Sequence, residues 1–153
     1  WTFQLQASDG NQWSSPDIVT YMVSAEGENN SPTANAGGDK TVIVEANCST
    51  SSYVWTCEQC AATTASLDGT GSTDTDGDTL TYSWTETTDT LTWLSNASPV
   101  GTVQLPAQDA EYEVDLSNEY DIQLDVNDCT LSDTDSITLT HICRGIYVLP
   151  EVP

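Results

Sequence analysis

Apolar residues recur at period two along this chain, in short runs, and that restricts it to strands. Tyr82 and Trp84 share one face of such a run, and Trp1, Phe3, Leu5 and Ala7 alternate with polar residues at the start. Segments 41–46, 63–68, 79–86, 90–94, 101–105, 119–127 and 134–142 are rich in Thr, Val, Tyr and Trp, with Gly, Asp, Asn and Ser between them. Almost nothing reads as helix. The expected fold is all-β, a two-sheet sandwich with Trp84 as core anchor, preceded by an extra β-hairpin.

Charge narrows the partners. The chain carries 24 acidic and 2 basic side chains (Lys40 and Arg144) among 153 residues, for a formal charge of −22. Nucleic acid and anionic membranes need Lys/Arg clusters and are excluded as partners. Cations are invited. No apolar run approaches the roughly 20 residues of a membrane span, so no membrane insertion is expected. No basic-then-apolar signal segment is present, and a chain beginning at Trp1 reads as a processed or partial product.

Five cysteines are present, three of them in CSTSSYVWTCEQC. Cys57 and Cys60 have zinc-like spacing, but a structural zinc site needs four N/S ligands and His141 is the only histidine. A disulfide staple among Cys48, Cys57, Cys60 and Cys143 is expected, with the pairing open. The odd count leaves one thiol free or paired between chains. Clustered cysteines and abundant Ser/Thr favour an oxidising, extracellular or cell-surface setting. Residues 47–62 interrupt the strand pattern and read as a disulfide-tied surface loop, or as a contact surface for a neighbouring subunit. His141 reads as a surface or strand-end residue. No nucleophile motif accompanies it, and no enzyme activity is expected.

The chain repeats itself. YDIQLDVNDCTLSDTDSITLTHI (120–142) lies under WTFQLQASDGNQWSSPDIVTYMV (1–23) without gaps. Gln4 matches Gln123, Leu5 matches Leu124, Asp9 matches Asp128 and Ile18 matches Ile137. Trp1 stands over Tyr120 and Phe3 over Ile122. A recurrence at domain length suggests tandem units. Residues 1–24, with a second strand from Ile18 to Val23, therefore read as the last two strands of a preceding unit. Residues 25–39 read as linker and domain entrance, 40–143 as the sandwich, and 144–153 as a tail with a short strand from Ile146 to Leu149. The hairpin is the cut end of a longer array, or it meets the next subunit, or it folds back. Seven strands after residue 40 leave no vacant slot for strict strand completion.

SPTANAGGDKTV, SLDGTGSTDTDGDTLTYSWTE, LSNASP and EYDIQLDVND with DTDSITLT resemble the polycystic-kidney-disease (PKD) type repeat of bacterial surface proteins. The resemblance covers residues 1–46 and 63–142. It departs at the Cys insert and at Cys129, which stands where the family has a turn residue or Gly. It implies an immunoglobulin-like β-sandwich acting as a spacer, adhesion module or accessory domain. It also implies a structural Ca2+ site at Asn30, Ser31, Asp74, Asp76 and Asp128, with Asp9 marking a second, incomplete one. Ca2+ takes six to eight oxygens, which short Asp-x-Asp loops supply. The same residues are also good turn formers without any ion.

Sequons at Asn29, Asn47 and Asn96 are candidate glycosylation sites. The expected function is a structural protomer or segment of an extracellular fibre or surface adhesin, assembling head to tail through its terminal β segments. Its partners would be copies of itself or adjacent repeats, with glycans besides. The alternative is a carbohydrate-binding or spacer module of a secreted multidomain enzyme.

Overall fold

The computed structural model describes residues 2–20 and 27–147. Among them every regular element is a strand: β1 (Thr2–Leu5), β2 (Asp17–Thr20), β3 (Lys40–Ser51), β4 (Val54–Cys57), β5 (Thr63–Asp68), β6 (Thr81–Glu86), β7 (Thr92–Ser95), β8 (Val100–Leu105), β9 (Asp115–Asn127) and β10 (Ser132–Tyr147). β1 and β2 pair alone; the others form a five-stranded sheet β4-β3-β10-β9-β6 and a three-stranded sheet β5-β8-β7. β3 runs parallel to β10, and the other ladders are antiparallel.

Alternation builds the core. On β9, Ile122, Leu124 and Val126 point inward; on β10, Ile137 and Leu139; on β8, Val103 and Leu105; on β5, Ala65 and Leu67. Side chains of both larger sheets meet in one cluster around Trp84, which is fully buried, as its place beside Tyr82 predicts. The Trp84 indole donates to the carbonyl of Ser98 at 3.0 Å, so its one polar atom is satisfied.

The insert is not a loop. β3 continues through it to Ser51 and turns back as β4, with Cys48 directly opposite Cys57. Ser52 and Tyr53 hold φ of 53° and 64° in the two-residue turn, a geometry that Asn-Gly usually announces. Cys48 bonds Cys57, and Cys60 bonds Cys143 across 83 residues of chain. The expected four cysteines pair, Cys129 stays free and exposed, and the two residues of the zinc-like spacing enter different disulfides. Two disulfides suggest an oxidising, extracellular environment. Among the described residues no helix is long and apolar enough to cross a membrane.

Two boundaries move. Pro32 and Ala36 are buried, so the second half of the expected linker belongs to the core. Carboxylates hold it there: Asp133 accepts from the Ala34 amide, Asp135 from the Ala36 amide, and Asp39 from the Thr138 amide. At the far end, β10 stays paired to β3 as far as Tyr147, opposite Cys48, so the sheet takes in the first four residues of the expected tail. Leu149 and Val148 of the expected tail strand, Tyr21 to Val23 of the expected second strand, and Trp1 lie outside the described residues.

His141 corrects the sequence reading. It is fully buried in β10, with Nδ1 2.8 Å from Gln108 Nε2 and Nε2 without a partner. Position 141 falls on the inward phase of a strand longer than expected.

Residues 2–20 are all exposed. Phe3 opposes Val19, with Leu5 on the same face. The turn joining these strands matches the β9–β10 turn bond for bond at the sequence offset. The Asp9 amide donates to the Gln12 carbonyl as Asp128 does to Leu131. Asp9 Oδ1 accepts from the Asn11 and Gln12 amides as Asp128 Oδ1 does from Thr130 and Leu131. Ser8 pairs with Trp13 as Asn127 pairs with Ser132. Beyond the turn the pairing in the first hairpin steps by one residue. Ile18 thus faces Gln4, whereas Ile137 faces Ile122.

Candidate metal centre

The loop between β5 and β6 is zipped to the domain entrance. Thr33 and Thr73 exchange backbone hydrogen bonds at 2.7 and 3.0 Å, and the Ser72 hydroxyl accepts from the Asn35 amide. This fixes the start of Asp74-Thr75-Asp76-Gly77-Asp78. Gly77 has φ of 81°, which turns the chain back sharply without a Cβ penalty. One carboxylate oxygen from each of Asp74, Asp76 and Asp78 then falls within 4.8 Å of the others.

Asp74 Oδ1 accepts from the amides of Asp76 and Asp78 at 2.8 and 3.1 Å. Its Oδ2 is buried without a hydrogen-bond partner. Such an oxygen is costly unless something satisfies it. Three carboxylates this close also repel one another. A hard cation answers both problems, and an all-oxygen donor set suits Ca2+ or Mg2+ rather than zinc.

The sequence-derived residues are only partly brought together. Asp74 and Asp76 meet, joined by Asp78, which was not singled out although the D-x-D-x-D spacing displays it. Asn30 lies against Asp76, donating its backbone N–H at 2.7 Å and its side-chain amide at 3.0 and 3.1 Å. Ser31 turns its hydroxyl to the Ser132 carbonyl. Asp128 lies outside the triad and acts as the acceptor of its own turn. The amides of Leu131 and Thr130 and the side chains of Asn29 and Thr130 hold its pKa down to about 2. Asn29 bridges the two groups: it donates to Asp128 at 3.0 Å and lines, with Asp76 and Asp78, an open cavity of about 300 Å3. Asp9 is exposed, and the Gln12 and Asn11 amides lower its pKa.

The sequon residues Asn29, Asn47 and Asn96 are all exposed, but the Asn29 amide nitrogen is already engaged with Asp128.

No protein-family model matches the chain, and no curated protein does. Among solved structures, the chain is similar to a nucleoside hydrolase-related hypothetical protein from Saccharophagus degradans that is associated with carbohydrate metabolism. That likeness has 19% identity and a TM-score of 0.48 and covers 74% of this chain and 26% of the other. Two endo-fucoidan hydrolases of glycoside hydrolase family 107 match at 19% and 17% identity with TM-scores of 0.39 and 0.37. They cover 94% and 91% of this chain, which spans only 19% and 21% of theirs. At these scores the likenesses assign no function.

Proposed function

We propose that this chain is a structural protomer or segment of an extracellular fibre or surface adhesin, joined head to tail through its terminal β segments. Its fold is read as an immunoglobulin-like sandwich of the PKD type. The sheet orders, the parallel pairing of β3 with β10 and the buried Trp84 support that reading.

One observation carries the functional reading. The β1–β2 hairpin repeats the Asp128 turn, yet Phe3, Leu5, Trp13 and Val19 stand 60–73% exposed. An isolated hairpin is at best marginal in water. Its apolar face therefore calls for a cover, supplied by a neighbouring copy or an adjacent repeat. Ca2+ held by Asp74, Asp76 and Asp78 would be structural, stiffening the entrance to the domain through Asn30. The net charge of −22 disfavours nucleic acid as a partner, and no catalytic role is proposed. The second reading is a carbohydrate-binding or spacer module of a secreted multidomain enzyme; the aromatic pole described below favours it.

Negative-stain electron microscopy of the natural material, with and without a calcium chelator, tests the assembly. Regular fibres that fray on chelation are expected. Dispersed particles under both conditions would leave a spacer or binding module.

A further inference from the structure

The β9–β10 ladder sets two poles, with Asn127–Ser132 at the aspartate-loop end and Asp115–Arg144 at the other. At the second pole lies an open cavity of about 610 Å3, lined by Tyr112, Glu113, Asp115, Arg144 and Tyr147. Its floor depends on Gly145. Tyr112 pairs with that residue, and a Cβ there would stand 2.6 Å from both Cys48 Sγ and the Glu111 carbonyl. Trp55, from the Cys insert, stacks on Tyr112 with ring centroids 3.6 Å apart and planes 8° from parallel. Tyr147 meets Trp55 edge-on at 5.3 Å and is 41% exposed. Beside the rings, the Arg144 guanidinium forks onto the Asp115 carboxylate at 2.6 and 2.7 Å, and the Tyr112 hydroxyl donates to Glu113 at 3.1 Å.

Both disulfides converge on this pole. Cys57 lies two residues from Trp55, and Cys143 precedes Arg144. The rings and the fork are thus fixed before any ligand arrives, which removes part of the ordering cost of binding.

We propose that this cavity binds a neutral sugar residue within an oligosaccharide. A pyranose has an apolar C–H face that Tyr112 and Tyr147 can cover. It also carries vicinal hydroxyls that match planar forks, with Asp115 and Glu113 accepting and Arg144 donating. The volume falls in the range of small-molecule sites. An anionic sugar is disfavoured, because two carboxylates, Glu113 and Asp115, outnumber the single guanidinium in the cavity lining. This site owes nothing to the fibre reading and stands whether or not the chain assembles.

The test uses the isotopically labelled full chain and neutral tetrasaccharides: β-1,4- and β-1,3-gluco-, α-1,4-gluco-, β-1,4-manno- and β-1,4-galacto-oligosaccharides. Each is titrated to about 10 mM, above the range of weak recognition, while the Trp55 indole and Arg144 Nε–H signals are followed. At least one sugar is expected to shift both signals and saturate with Kd below about 1 mM. Tyr147→Ala and the isosteric Asp115→Asn are each expected to weaken it about tenfold or more, with folding checked by the melting curve. Two results would overturn the proposal: no response across the panel, or binding that survives both variants.

Discussion

Gly10 and Cys129 hold the same left-handed backbone, φ 95° and 86°, at equivalent points of two turns. Their amides even donate to equivalent acceptors, Ser8 Oγ and Asn127 Oδ1. Glycine adopts this conformation freely, whereas a residue with a Cβ pays for it. Cys129→Gly should therefore raise stability by about 1 kcal/mol and remove the free thiol. The urea midpoint measures it; an unchanged or lower midpoint would mean that the cysteine side chain makes a compensating contact.

Gly101 on β8 faces the indole of Trp84, and a Cβ there would sit 3.0 Å from three ring atoms. A Cβ at Gly69, where the β5–β8 ladder runs on through its hydrogen bond to Pro99, would also reach the ring at 3.0 Å. Alanine normally gains about 0.5–1 kcal/mol over glycine within a strand. Overpacking costs about 1–3 kcal/mol and wins here. Gly101→Ala should lower the urea midpoint by the equivalent of about 1–2 kcal/mol, with the m-value unchanged.

Burial lowers the pKa of His141 below its ordinary value of 6.5. The unfolded chain then binds the proton first, so stability is complete above pH ~6.5 and declines as pH falls below it. His141→Leu should flatten that slope. Asp128 acts lower: with its pKa down at about 2, its stabilisation is present above pH ~4 and is lost toward 2. Melting temperatures across pH 2–8 separate the two windows.

Much of this was legible in the sequence because it depends on period. Trp84, Ile122 and Leu124 alternate cleanly, and their strands and burial follow. The 119-residue offset that pairs Asp9 with Asp128 survives in the turn geometry because Asx side chains dictate local hydrogen bonding. β4 was hidden because its turn is Ser52-Tyr53 instead of Asn-Gly. The Trp55–Tyr112–Tyr147 cluster was hidden because its three rings come from distant segments. His141 misled because β10 extends past it, and a strand's length is set by its partner, here β3. Asp128 went to the metal set on resemblance, whereas the structure spends its carboxylate on its own turn.

The buried Oδ2 of Asp74 makes cation dependence measurable. Ca2+ at about a hundredfold excess over Kd should raise stability by about 2.7 kcal/mol. Asp74→Asn should abolish that increment while retaining the fold in chelator. Equal melting curves with Ca2+ and with chelator would leave the triad a turn without an ion.

Hydrogen exchange of the β1–β2 amides in the assembled material tests the central claim most directly. Covered by a partner, Phe3, Leu5, Ile18 and Val19 should exchange as slowly as Ile122 and Leu124 in the core. Exchange at free-peptide rates in intact assemblies would contradict a hairpin that joins one unit to the next.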